Sequence, residues 1–180
     1  MLRIEYKSAK CFLSGVFATV LVFVVGGFCY LRLGLAEVRG DVPASRMESY
    51  LMQMAVHAAV RRNAPGISNP VLPSDANLIA GGKQYAGECA GCHGTPGKQH
   101  KFPSGLNPRV PQFPTEGTSY TEAEIFWIAK HGIRRTGMFS NGLWDSDQEL
   151  WTLAAYIKRM NSLPPQVKEA LAKKSQGSGK

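Results

Sequence analysis

Residues 89–93 read Cys89-Ala90-Gly91-Cys92-His93, and the rest of the chain is best understood outward from them. This spacing is typical of covalent haem attachment. Two thiols three positions apart can add to the two vinyl groups of a porphyrin, and the adjacent histidine is then held beneath the iron. We therefore expect one haem c, bound through thioether bonds at Cys89 and Cys92, with His93 as an axial iron ligand.

Two other uses of this pentapeptide have to be weighed. A zinc site needs four ligands, usually from a second Cys or His pair at similar spacing. The remaining cysteines, Cys11 and Cys29, both lie in an apolar N-terminal stretch. A thioredoxin-like redox pair requires a βαβ context, which the pattern does not indicate. The haem interpretation is favoured over both.

The charge of the 180-residue chain is unevenly distributed. The formal net charge is +8, of which residues 1–74 carry +4, residues 75–163 carry +1 and residues 164–180 carry +3. The segment with the haem motif is thus nearly neutral, and the basic residues lie in the flanks. This distribution argues against nucleic acid as a partner.

Residues 11–31 contain no charged side chain over 21 positions. A helix of that length is about 31 Å long and matches a hydrocarbon core of roughly 30 Å. A cleaved signal peptide is the rival interpretation, but its apolar region is normally shorter and is followed by a small-residue cleavage site. Bulky Phe28 before Cys29 disfavours lipoprotein processing. We expect an uncleaved transmembrane anchor, with residues 1–10 on its cytoplasmic side.

The segment 32–74 is predicted to be a tether. Ser45 and Glu48 have the form of a capping box and open a helix over about 45–62. Prolines at 65, 70 and 73 then favour an extended linker over 63–74. The apolar stripe of this helix is a packing surface for the haem domain or for a neighbouring subunit.

A compact domain is predicted over 75–164, followed by a basic flexible tail over 165–180. Asp75 is the expected cap of a helix that leads into the haem motif. Thr121 with Glu124, and Ser146 with Glu149, predict two further helices, and Gly132 is a plausible end for the first of these. No alternating pattern argues for a sheet, so the predicted fold class is all-α.

These features together resemble the class I cytochromes c, and among them the membrane-anchored single-haem bacterial type. Gly81 and Tyr85 precede Cys89 by eight and four residues, where the family's first helix carries a glycine and an aromatic residue. Leu153 and Tyr156 are similar to the apolar and aromatic pair on the family's last helix. The resemblance implies a small helical domain wrapped around one haem, in which these two helices cross close to the motif.

The resemblance also supplies two further site residues. Pro108 falls where the family has a proline whose carbonyl accepts a hydrogen bond from the ligand histidine. Met138, 45 residues after His93, ends a segment similar to the one before the family's axial methionine, although Phe139 follows where the family often has proline. Met138 is favoured as the sixth iron ligand over Met47, Met52, Met54, Met160, His57, His100 and His131.

The function implied is electron transfer without a small-molecule substrate, rather than enzymatic catalysis. The resemblance places the haem domain on the periplasmic side of a single-pass inner-membrane protein, with redox proteins or a larger respiratory or photosynthetic complex as partners. Two alternatives remain at this point. One is a haem-bearing structural subunit of such a complex, and the other is a peroxidase or gas-sensing protein with a displaceable sixth ligand.

Overall fold

The structure, a computed structural model, describes residues 2–96 and 106–177, and it describes side chains within 9–96 and 106–173. The described residues contain eight α-helices and no β-strand, which confirms the predicted all-α class. The helices are α1 (Leu2–Arg32), α2 (Arg46–Asn63), α3 (Asp75–Glu88), α4 (Ala90–His93), α5 (Phe113–Glu116), α6 (Glu122–His131), α7 (Asp147–Arg159) and α8 (Pro165–Gly177).

Helix α1 belongs to a unit of its own, Met1–Arg39. Within α1, Ala9–Arg32 has a mean hydropathy of 2.3, and none of its most apolar window is buried. Of the helices described, this is the one that is long and apolar enough to cross a membrane, judged by length and composition.

Side-chain caps start α2, α3, α6 and α7 of the second unit, Gly40–Lys180. The capping boxes predicted at Thr121 and Ser146 are both present, and Gly132 ends α6 with φ of 65°. Ser45 accepts from the Glu48 amide, which is one half of the predicted box at α2. At α3 the prediction is wrong by one residue, because the Ser74 side chain caps the helix and Asp75 lies within its first turn.

The core is built where α3 crosses α7. A Cβ atom added to Gly81 would lie 2.6 Å from the carbonyl oxygen of Thr152 and 2.8 Å from the Cβ of Tyr156. The rings of Tyr85 and Tyr156 pack with centroids 5.6 Å apart, and Leu153 is 1% exposed. Glycine at position 81 therefore lets two backbones touch beside the haem motif, as the family resemblance implies.

Replacing Gly81 by alanine is expected to destabilise the domain by about 1–3 kcal/mol, because the new methyl group overlaps backbone atoms that cannot move independently. Gly87 lies in the same helix with nothing within 4 Å of its added Cβ. Gly87→Ala is the matched control and should stabilise α3 by about 0.5–1 kcal/mol through helix propensity. Urea unfolding followed by circular dichroism would measure both, and equal effects would contradict the close crossing.

Helix α2 and the linker after it are packed onto the domain. Val60 in α2 is 1% exposed. In the linker, the Asn69 side-chain amide donates to Glu122 Oε2 at 2.6 Å and to the Trp151 carbonyl at 2.9 Å. Helix α2 and the linker 63–74 thus lie against α6 and α7, because the Asn69 amide and the apolar side chain of Val60 find partners there.

The tail prediction differs from the structure over Pro165–Gly177, which form α8. Val167 is fully buried, and the Leu171 side chain packs against Gly82 of α3. Gln166 also donates to Asp75 at 2.9 Å. The prediction of a flexible tail relied on the basic composition of this segment. It overlooked that Val167 and Leu171 are four positions apart and therefore lie on the same face of a helix. The packed unit extends beyond 75–164 in both directions.

Candidate functional site

A cavity of about 340 Å³ lies between α3, α6, α7 and the loops that join them. This volume lies at the lower end of the range for pockets that hold cofactors and other small ligands. Its walls are mainly apolar, with Ile125, Ile128 and Ala129 from α6 and Leu153 and Ile157 from α7. The five residues singled out from the sequence all line it, and they are Cys89, Cys92, His93, Pro108 and Met138.

The cysteines are placed by the end of α3. Cys89 is the C-cap of α3, and its carbonyl accepts from the amides of Cys92 at 3.1 Å and His93 at 2.9 Å. These hydrogen bonds hold Cys89, Cys92 and His93 within one short turn. The buried Tyr85 hydroxyl donates to the Gly94 carbonyl at 2.7 Å and fixes the exit of the turn.

The electrostatics at Cys89 disfavour thiolate chemistry. Burial, and then the carboxylates of Glu88 and Asp145, raise the pKa of the Cys89 thiol to about 12. Both zinc binding and thiol–disulfide exchange depend on a thiolate. In the described residues no group of three or more His, Cys, Asp or Glu side chains is arranged to hold a metal ion. The surroundings of Cys89 therefore suit a buried thioether better than a zinc site or a redox pair.

His93 is oriented by the loop that follows the motif. Its Nδ1 donates to the Pro111 carbonyl at 3.0 Å, and its ring stacks on Phe113 at a centroid distance of 4.5 Å and an interplanar angle of 5°. Burial lowers the pKa of His93, which favours the neutral imidazole. With Nδ1 carrying the proton, Nε2 has a free lone pair for an iron ion.

The prediction that the Pro108 carbonyl accepts a hydrogen bond from His93 is wrong. Pro108 lines the cavity, but the acceptor is Pro111, three residues further on. The segment has prolines at 108, 111 and 114, and which one faces His93 depends on how the loop turns. Gln112 fixes that turn, because its side-chain amide donates to the Cys92 carbonyl at 3.0 Å. The sequence offered no signal that separates these prolines.

Met138 is presented by a tight loop after α6. Gly132 has φ of 65°, and a Cβ there would lie 2.6 Å from the Met138 carbonyl oxygen. Ile133 donates to that carbonyl at 2.8 Å, and the Thr136 hydroxyl accepts from the Met138 amide at 3.0 Å. These bonds hold the loop although Phe139, rather than proline, follows the methionine.

Most of the competing ligands lie elsewhere. Among the described residues, Met47, Met52, Met54, Met160 and His131 do not line the cavity. His100 lies outside the described residues. His57 does line it, together with Gln53 and Val56 of α2, a contribution that sequence reasoning did not identify. The only sequence signal was that Gln53, Val56 and His57 share one face of a helix, and the same spacing is found in helices that simply pack against a core.

The donor set fits a c-type haem. Two thiols, one neutral imidazole with its second nitrogen bonded, and one soft thioether surround a single apolar cavity, and these are the groups that hold such a haem. One buried polar atom of the wall, Asn141 Oδ1, has no hydrogen-bond partner within the described part of the chain.

The comparisons with known proteins agree with this chemistry. Residues 76–157 match the protein-family model described as "Cytochrome C oxidase, cbb3-type, subunit III". The match runs from the first turn of α3 to the last turn of α7 and includes the cysteine motif and Met138. Comparison with curated proteins and comparison with solved structures each give no match.

Proposed function

We propose that this chain is a membrane-anchored carrier of single electrons that holds one haem c, since residues 76–157 match the model of a cytochrome family. The observation that supports this most directly is that the neutral, oriented His93 and the thioether of Met138 line the same apolar cavity. If both side chains hold the iron of a bound haem, no coordination position would remain for oxygen or peroxide.

The chain's own residues set the conditions for electron transfer. Bound haem c supplies the one-electron ferric/ferrous couple. The Pro111 carbonyl fixes the imidazole and increases its basicity, while the soft sulfur of Met138 favours the ferrous state. Apolar side chains of α6 and α7 keep water away, which also raises the reduction potential because burial disfavours the ferric charge.

The location is part of the same proposal. The apolar stretch Ala9–Arg32 supports a single-pass anchor, and attachment of haem c takes place outside the cytoplasm. We place the N-terminus in the cytoplasm and the haem domain in the periplasm, next to the inner membrane. Redox proteins are the partners, and Cys89, Cys92, His93 and Met138 are the haem-binding residues.

A second candidate role is favoured by the family description. The matched family is named for a subunit of a cytochrome c oxidase. This supports a place for the chain within a terminal oxidase-type complex, where its haem passes electrons to the next centre. The haem site is the same in both roles. An independent carrier moves between redox partners, whereas a subunit stays bound in the complex.

The proposal is tested on the full chain in membranes of a host that matures c-type cytochromes. We expect a pyridine haemochrome spectrum of one haem per chain and a one-electron Nernst titration. We also expect resistance to carbonate extraction and cleavage by protease added to spheroplasts. Mild-detergent purification then separates the two roles by what co-purifies. Rapid carbon monoxide binding to the reduced protein would contradict closed axial coordination and favour the peroxidase or gas-sensing alternative.

A further inference from the structure

Helix α2 forms part of the cavity although it lies outside the matched domain. The family match begins at residue 76, whereas α2 spans Arg46–Asn63. Gln53, Val56 and His57 nevertheless line the same cavity as His93 and Met138. Gln53 and His57 remain exposed to solvent, so they form its open side.

Contacts at both ends hold α2 across this opening. Near its start, Ser49 Oγ donates to Asn107 Oδ1 at 3.3 Å, and Asn107 Nδ2 donates to Glu48 Oε1 at 3.4 Å. Near its end, His57 Nδ1 and the Tyr120 hydroxyl are 2.9 Å apart, and the two rings stack with centroids 5.2 Å apart. Next to them Val60 is fully packed.

The polar residues on this side of α2 follow a helical spacing. Gln53, His57 and Arg61 are four positions apart and therefore share one face of the helix. Arg61 lies close enough to Tyr120 to oppose the rise in the pKa of that phenol, which is caused chiefly by burial and then by Glu124. Arg61 forms no ion pair within the described residues, whereas Arg109, the other arginine near the opening, is bonded to Glu116 at 2.7 Å.

The wall of the cavity at Cys89 is acidic. Glu88 lines the cavity next to Cys89, and Asp145 accepts from the Gln84 amide of α3 at 3.0 Å. Haem carries two carboxylates on the side of the macrocycle away from its vinyl-derived carbons. The carboxylates of a haem bonded at Cys89 and Cys92 would be repelled by this acidic wall and attracted by the positive charge of Arg61.

We propose that the face Gln53–His57–Arg61 of α2 is the binding site for the haem carboxylates, which makes α2 a wall of the haem site. The proposal rests on the proposed function, since it requires a haem bound at Cys89 and Cys92. In the tautomer whose Nδ1 accepts from the Tyr120 hydroxyl, His57 carries its proton on Nε2 and can donate to a carboxylate, as can the amide of Gln53. Arg61 supplies the compensating charge.

A pair of neighbouring arginines provides the first test. Arg61→Gln removes a positive charge beside the haem carboxylates and should lower the reduction potential. Arg62→Gln removes the same charge one position on, about 100° around the helix. Its shift should be smaller by about twofold or more, because the Coulomb interaction falls with distance. Redox titration of the full-length holoprotein at low salt measures both, and equal shifts would overturn the proposal.

Loss of the α2 contact provides the second test. His57→Ala removes the ring stack and the hydrogen bond to Tyr120, so the haem should become more exposed. We expect reduction by a small hydrophilic reductant to become faster by about twofold or more, together with a lower potential. Leu51→Ala is the control, since Leu51 lies on the opposite side of α2 from the buried Val60 and is 48% exposed. A wild-type rate and potential in His57→Ala would contradict the proposal.

Failure of this inference is distinguishable from failure of the proposed function. Both series are read only in protein that shows the haemochrome spectrum and the near-infrared thioether-to-iron band. If wild-type protein lacks these signals, the proposed function fails. If they are intact and the Arg61 and Arg62 variants shift equally, the function stands and α2 is not the carboxylate site.

Discussion

Replacing Cys89 and Cys92 together by alanine is expected to abolish covalent haem retention completely. No other described cysteine lines the cavity, so the porphyrin has no second route to a thioether. The variant should also be less stable than the holoprotein, because it lacks the bound group that packs against the apolar walls of the cavity.

The measurement is a haem stain of the denatured chain after electrophoresis, with circular dichroism for the fold. The matched control is the double variant Cys11→Ala, Cys29→Ala, which removes two cysteines from α1 and should keep the haem. Haem that stays on the Cys89, Cys92 variant through denaturation would show that the attachment assignment is wrong.

Replacing Met138 by alanine should have the next largest effect. It removes a ligand of the haem iron and leaves the thioether bonds to Cys89 and Cys92 in place. Loss of the thioether removes a soft ligand that stabilises ferrous iron, so the reduction potential should fall by an amount on the order of 0.2 V. The near-infrared thioether-to-ferric-iron band should disappear, while the haem remains covalently bound. The ferrous form should then bind carbon monoxide.

Two controls separate ligation from stability. Met54→Ala changes an exposed methionine on α2, 51% exposed, and should leave the band and the potential unchanged. Met160→Ala changes a buried methionine that does not line the cavity, and should cost about 2–5 kcal/mol of stability with the band intact. A band that persists in Met138→Ala would exclude Met138 as the ligand.

Local sequence patterns predicted those parts of the molecule that depend on neighbours a few positions away. The capping boxes at Thr121 and Ser146 were identified correctly, because their hydrogen bonds close within four residues. The haem motif belongs to the same kind of pattern, since its chemistry lies in five consecutive residues. Gly81 and Tyr156 needed the family resemblance, because the close approach of α3 and α7 joins residues 75 positions apart in the chain.

The amino-acid sequence by itself determined the all-helical class, the haem motif and the apolar N-terminal stretch, and the family resemblance added Met138 as a candidate ligand. Only the tertiary structure decided that Pro111 rather than Pro108 accepts the hydrogen bond from His93, that residues 165–177 pack as a helix, and that α2 lines the open side of the cavity. The physical reason is the same in each case. A carbonyl, an apolar pair or a polar helix face has several possible partners along the chain, and only packing in three dimensions selects one of them.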